Sequence, residues 1–207
     1  MPATQDESFQ FRASCLNFQK LQNVEIIFVD QAEAPSRAQR LNIGFHRSQG
    51  SMILFYHPRS LVDQAGLEYL QKQSDKKFWG AFTHSFDVEH ALLKFTSWYS
   101  NRVRARFSGI IYLDHCIFFH RSFFKDLPPV DIFEDTLLSQ QLLRFQRPVL
   151  LPFNSLTSAV RFQVNGIYRQ AAYNQLVKIG FHLGLAPEKL NQFYERGLGL
   201  NSTYKKK

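Results

Sequence analysis

The feature that most constrains this chain is a succession of short apolar runs, several of which end in a polar cluster. VEIIFVD covers 24–30, SMILFYHPRS 51–60, FWGAFTHSFD 78–87, GIIYLDHCIFFHR 109–121 and PVLLPF 148–153. Each run has strand length and is rich in β-branched or aromatic residues. Helical periodicity separates them. Pro35, Ala38, Leu41 and Phe45 predict a helix that stops near Gly50, and further helices are expected over 61–72, 90–107 and 134–145. Residues 8–21 place Phe11, Cys15 and Phe18 on one helical face, and 165–195 reads as helix with a break near Pro187. Strand and helix alternate, which predicts an α/β fold with an open, mostly parallel sheet flanked by helices. VEIIFVD reads as a buried parallel strand, and FWGAFTHSFD as a strand with one wet face. In such sheets ligands bind at the carboxyl ends of the strands. The polar residues that end the runs are therefore the informative ones: Asp30, then His57-Pro58-Arg59-Ser60, then Asp114-His115.

Composition narrows the class. The 207 residues are 44% hydrophobic and 15% aromatic, with 21 Phe, which excludes disorder and supports one sizeable core. Two cysteines exclude a disulfide scaffold or zinc ribbon and fit a reducing compartment. Twenty-five Lys and Arg against 17 Asp and Glu give a net charge of +8, which suits an anionic partner. No run reaches membrane-spanning length, and MPATQDESFQ lacks the features of a secretory signal. The chain therefore reads as a bacterial-type cytoplasmic domain, with contact at a membrane surface as a further option. No helix-turn-helix or RNA-recognition signature is present, so nucleic acid is not an expected partner.

The order of motifs carries a resemblance. PATQDE (2–7), VEIIFVD, RAQRLNIGF (37–45), GSMILFYHPRS (50–60), WGAF (79–82), LDHCIFF (113–119), FED (133–135) and TSAVRF (157–162) succeed one another in a fixed order. Together they resemble family 2 glycosyltransferases, in particular a bacterial branch with Arg-Ala-x-x-x-Asn and His-Ala-Asp-Thr motifs. The resemblance spans roughly the whole chain and implies a GT-A-like (nucleotide-diphospho-sugar transferase) fold in a single domain. Residues 1–60 would form a reduced nucleotide-binding half, 61–164 the acceptor and catalytic half, and 165–200 C-terminal helices. It further implies inverting transfer of a sugar from a nucleotide-sugar to an acceptor.

The resemblance also distributes roles. Asp135 would be the base that takes the acceptor proton, with Glu134 orienting it. Asp30, Arg37, Asn42, His57 and Arg59 would bind the nucleotide-sugar, and Asp114, His115 and Arg161 would lie on the acceptor side. The family uses magnesium or manganese, but here Arg59 replaces the Asp that would hold the metal, so no metal ligand is assigned. Two other departures stand out. The chain starts inside the motif that normally closes the first strand, which implies a sheet truncated at that strand, with its edge shielded by the N-terminal segment or a second copy. Only Gln31 to Ser36 link Asp30 to Arg37.

Each residue also has a plainer role. Glu134-Asp135 can cap a helix, although the surrounding motifs select the base. Asp30 can close a turn. His57 can be a satisfied strand-end histidine, and His84, His90, His115 and His120 show no metal-like spacing. Arg102, Arg104 and Arg106 read as a solvated helix end, with a phosphate-bearing acceptor or an anionic membrane surface as the alternative. Phe118, Phe119, Phe123 and Phe124 read as core, and Cys15 and Cys116 as buried hydrophobes. Two functions stay open: glycosyl transfer, and a degenerate, non-catalytic relative that binds a nucleotide, glycan or protein partner. A homodimer is compatible with either.

Overall fold

A computed structural model describes residues 18, 21–30 and 32–197. It shows an α/β fold: a five-stranded mixed sheet with helices packed on it. The strands are β1 (Met52–Phe55), β2 (Ser60–Val62), β3 (Trp79–Phe86), β4 (Ile117–His120) and β5 (Val149–Thr157). Their order is β1-β4-β3-β5-β2. Only β3 and β5 pair in parallel; the other three pairings are antiparallel. The expectation of a mostly parallel sheet is thus corrected. Strand β4 runs against both of its neighbours, β1 and β3, and β2 runs against β5, so the helix-containing connection makes a parallel neighbour only of β3 and β5.

A second correction concerns 24–30. The run VEIIFVD is extended but belongs to no ladder, and Val24, Ile26 and Phe28 are exposed. Strand propensity describes fit to a pleated surface and makes no strand without a neighbouring backbone. Side-chain contacts hold the segment instead. The Glu25 carboxylate accepts from the backbone N–H of Gln49 and of Gly50, and Val29 lies over Gly44. The predicted helical face over 8–21 lies outside the described residues except for Phe18 and Leu21; Cys15 and Phe11 are not among them.

The helices are α1 (Arg37–Arg47), α2 (Gln64–Lys72), α3 (Ala91–Trp98), α4 (Glu134–Leu142), α5 (Val160–Asn165), α6 (Ile167–His182) and α7 (Pro187–Gly197). Ser36 caps α1 through a capping box with Gln39. The helix therefore starts two residues after Pro35. Strand β2 takes the residues expected to open α2, because Ser60–Val62 pair with Ser155–Thr157. The helix expected over 90–107 changes character midway. Beyond Trp98 it continues as a π-helix, Tyr99–Ser108, closed by Gly109 at φ 71°.

Strand β3 is central, so its first half is buried on both faces rather than wet on one. Alternation splits the core across the sheet. Trp79, Ala81 and Phe119 pack with Ile53, Phe55 and Leu138 on one face; Phe82 and Phe118 pack with Leu67, Leu70 and Cys116 on the other. Phe119 meets Phe55 edge-on at 5.0 Å and stacks on Phe124 at 5.2 Å. The phenylalanines of 118–124 are core, as their sequence context predicts.

Gly80 is where β3 and β5 approach most closely. A Cβ there would stand 1.8 Å from the Val149 carbonyl oxygen, which is backbone and cannot rotate away. Gly80→Ala is expected to cost about 3 kcal/mol or more of stability, read as a lower urea midpoint at unchanged slope. Gly184→Ala, with nothing within 4 Å of the added carbon, serves as the control for backbone strain alone.

Candidate functional site

The ends of β3 and β5, the loop after β1 and the starts of α1 and α4 converge on one cavity of about 250 Å3. Arg37 and Arg40 reach it from α1, His57 and Arg59 from the β1–β2 loop, and Asp114 and His115 from the turn before β4. Glu134 and Asp135 come from the start of α4, Arg161 from α5 and Lys178 from α6. Six permanent or near-permanent cations (Arg37, Arg40, Arg59, Arg104, Arg161, Lys178) thus share the lining with four carboxylates (Asp114, Asp131, Glu134, Asp135).

Two backbone positions in the left-handed region feed the carboxylates in. Phe133, at φ 65°, is the N-cap of α4, and Cys116, at φ 53°, comes directly after the Leu113–His115 turn. Such conformations cost a non-glycine residue of order 1–3 kcal/mol and persist where the surroundings over-determine them. Around Asp114 they do. Its carbonyl oxygen accepts from the hydroxyls of Ser60 (3.1 Å), Ser155 (2.8 Å) and Thr157 (3.2 Å).

Glu134 is 3% exposed and pairs with Arg37 Nη1 at 2.8 Å. The Glu134 carboxylate in turn raises the Arg37 guanidinium. Asp135 Oδ1 accepts from the Thr136 N–H at 2.7 Å. Burial, then the neighbouring charge of Glu134, pushes the Asp135 carboxyl up to about 7, against the pull of Arg37 and Arg104. Asp114 is held well below the usual carboxylate range. Burial works against its charge, and the groups around it, His57 and His84 first and then Arg59, outweigh burial. His57 lies 3.8 Å away, but burial lowers it to about 3, so its ring is neutral at pH 7. Arg59 is therefore the permanent cation among them. Burial also lowers His84, to about 4, and His115. His115 is fixed between Ser100 (2.6 Å) and the Phe82 carbonyl (3.1 Å), whereas the buried His84 Nε2 has no hydrogen-bond partner among the described residues. A polar ligand in the cavity would supply one.

Eight of the ten residues singled out in the sequence meet here: Arg37, His57, Arg59, Asp114, His115, Glu134, Asp135 and Arg161. Two do not. Asp30 accepts from the N–H of Ala32 (2.8 Å) and Glu33 (3.3 Å), closing an exposed turn. Asn42 spans the backbone of Leu127, donating to its carbonyl at 2.8 Å and accepting from its N–H at 2.9 Å. That clamp ties α1 to the loop leading into α4.

Arg104, Tyr112 and Lys178 join the site without a motif to mark them. The π-helix turns Arg104 inward, where it bonds Ser100 and the Ile110 carbonyl and lies 3.5 Å over the Tyr112 ring. Lys178 approaches the same ring at 5.1 Å, and burial lowers its amine to about 8. The signal in the sequence is spacing: Thr96, Ser100 and Arg104, and again Gln170, Asn174 and Lys178, recur every fourth residue and line the cavity.

The metal expected of the resembling family does not fit these residues. Among the described residues no three of His, Cys, Asp and Glu gather in a metal-holding arrangement, and the Arg59 side chain occupies the lining. Fold and site together define an α/β domain with a cationic, carboxylate-bearing cavity at its strand ends. No family model and no curated protein matches the sequence.

The raised carboxyl of Asp135 makes stability depend on pH. Folded Asp135 keeps its proton up to about 7, whereas unfolded it would lose it near 4, so the folded state holds more protons between these values and stability falls as pH rises through them. Asp135→Asn removes that loss. It is expected to raise the thermal midpoint near about pH 8 and to leave it almost unchanged near about pH 4, measured by calorimetry. Asn42→Ala should lower stability by about 2 kcal/mol, because it strips both partners from the Leu127 backbone, without altering anion binding in the cavity.

Proposed function

We propose that the domain transfers a glycosyl group from a nucleotide-diphosphate sugar to a hydroxyl acceptor, on a GT-A-type scaffold. One observation carries this reading. A carboxyl poised near neutrality, Asp135, stands in a cavity lined by more guanidinium and ammonium groups than carboxylates. A general base works best when its pKa lies near the working pH. Permanent cations suit the charge that builds on a departing diphosphate. The order of motifs supports the same reading.

The chemistry is set by these groups. The acceptor oxygen attacks the anomeric carbon and forms the new C–O bond, while its proton passes to Asp135. The anomeric bond to the diphosphate oxygen breaks on the opposite face, and its electron pair leaves with the diphosphate. Arg59 stands where the family places its metal-holding acid and supplies fixed positive charge with bidentate geometry. Arg37 holds Glu134 in place beside Asp135 by its ion pair, and the neighbouring Glu134 charge helps to raise the Asp135 carboxyl. Because Arg37 also occupies Glu134, the pair has one carboxyl free for proton transfer. Sequestering the second would leave the non-catalytic, ligand-binding alternative.

Calorimetry with uridine diphosphate and guanosine diphosphate tests the assignment, first in chelator and then with manganese. Binding in chelator that is lost in Arg59→Ala is expected. Binding only with manganese would overturn the role of Arg59. Binding without turnover of any nucleotide-sugar would assign the non-catalytic alternative. Where turnover is found, its rate should rise with pH through about 7, and Asp135→Asn should lower it about a hundredfold to ten-thousandfold with donor affinity retained.

A further inference from the structure

Helices α3 and α6 are built inside out. Their polar stripes, Thr96 on α3 with Ser100 and Arg104 on the π-helix that continues it, and Gln170, Asn174 and Lys178 on α6, face the cavity. Their outer faces are apolar. Phe95, Trp98 and Tyr99 form an exposed aromatic cluster on α3 and the first residue of the π-helix, with Phe95 stacked on Trp98 at 5.8 Å. On α6 the exposed Tyr168, Leu176 and Ile179, with Leu183 at its C-cap, recur at helical spacing and make a stripe along the helix. The two faces adjoin the same opening. Tyr168 lies edge-on to His90, the N-cap of α3, and Arg104 and Lys178 both approach Tyr112.

Charge selects the occupant. Residues 91–108 contain Lys94, Arg102, Arg104 and Arg106 and no acid; residues 160–186 contain Arg161, Arg169 and Lys178 and no acid. Arg102, Arg106 and Arg169 are exposed beside the apolar residues. Glu89, just before α3, pairs with Lys94, and the remaining rim cations have no acid within these two segments. Amphipathic aromatics with such a cationic rim match the boundary between headgroups and acyl chains in an anionic bilayer. No helix among the described residues is long and apolar enough to cross a membrane.

We propose that this outer face of α3 and α6 docks onto an anionic lipid surface and holds the cavity mouth at headgroup level. Taken with the glycosyl-transfer reading, on which this last step rests, the acceptor is a hydroxyl borne by a membrane-resident amphiphile, delivered from the bilayer rather than from solution.

Vesicle flotation of the full chain tests the docking and asks nothing of the transfer reaction. Vesicles of phosphatidylcholine with phosphatidylglycerol should carry the protein, and phosphatidylcholine alone should not. Raising salt to about 1 M, where screening falls to about 3 Å, should weaken binding. Trp79 is fully buried and Trp98 is 53% exposed, so a blue shift of the emission on adding vesicles reports Trp98 entering the interface. Phe95→Ser with Trp98→Ser, and separately Ile179→Ser with Leu183→Ser, should abolish flotation while circular dichroism and nucleoside-diphosphate binding stay unchanged. Arg102→Gln and Arg106→Gln should each cost about fivefold in affinity for the anionic vesicles. Absence of flotation and of the blue shift would overturn the proposal. So would a concentration-dependent dimer or a protein complex that the serine variants disrupt, which would assign the face to a protein partner. Loss of nucleoside-diphosphate binding with flotation intact would remove the transfer reading and leave the docking.

Discussion

Three hydroxyl groups converge on one carbonyl oxygen, that of Asp114, and the arrangement of the site depends on them. Ser60 belongs to β2, Ser155 and Thr157 to β5, so the turn that carries Asp114 and His115 is tied to two strands at once. The tie is buried, where hydrogen bonds are strong and expensive to lose. It holds the left-handed Cys116 in place and sends the chain straight into β4. The sheet therefore fixes the depth of the Asp114 carboxylate and, through His115 and Ser100, the inner face of the π-helix.

The electrostatics of the cavity depend on that rigidity. Four carboxylates cannot share a small cavity unless cations stand among them or protons are retained, and this chain does both. Asp114 stays ionised among cationic groups, Glu134 is paired, and Asp135 keeps its proton to near neutrality. The same guanidiniums would be left with unsatisfied charge if the carboxylates alone had to balance them, so the cavity retains a surplus that suits an anionic guest.

Much of this is legible in the residues. Strand-length runs ending in polar clusters point to Asp114, His115, His57 and Arg59, and a loop before an acidic helix start points to Glu134 and Asp135. The features that are not legible depend on neighbours. VEIIFVD has the composition of a buried strand, but a ladder needs a second backbone, and none of the described residues offers it one. Sheet direction escapes the sequence because parallel and antiparallel strands differ in connection and surroundings, and β4 is fed by a loop that composition does not reveal. Asn42 has the look of a ligand group because its role, holding the Leu127 backbone, lies 85 residues away in the chain. Arg104 has the look of a solvated residue because three alternating arginines in an α-helix would scatter round it, whereas a π-helix has a different period.

That change of period has a consequence for chain length rather than for side-chain identity. A π turn closes its hydrogen bond one residue later than an α turn, so it behaves as an α-helix that has absorbed an extra residue. Deleting a single residue between Tyr99 and Val103 would return the downstream part of the helix to the α period. Arg104 would keep its place over the cavity, because the deleted residue is the one the wider turns absorb; returning the segment to the α period at its present length would instead turn Arg104 by about 100° around the axis, away from the cavity. At this position the register of the helix, more than the choice of amino acid, decides whether a cation serves the cavity or the surface.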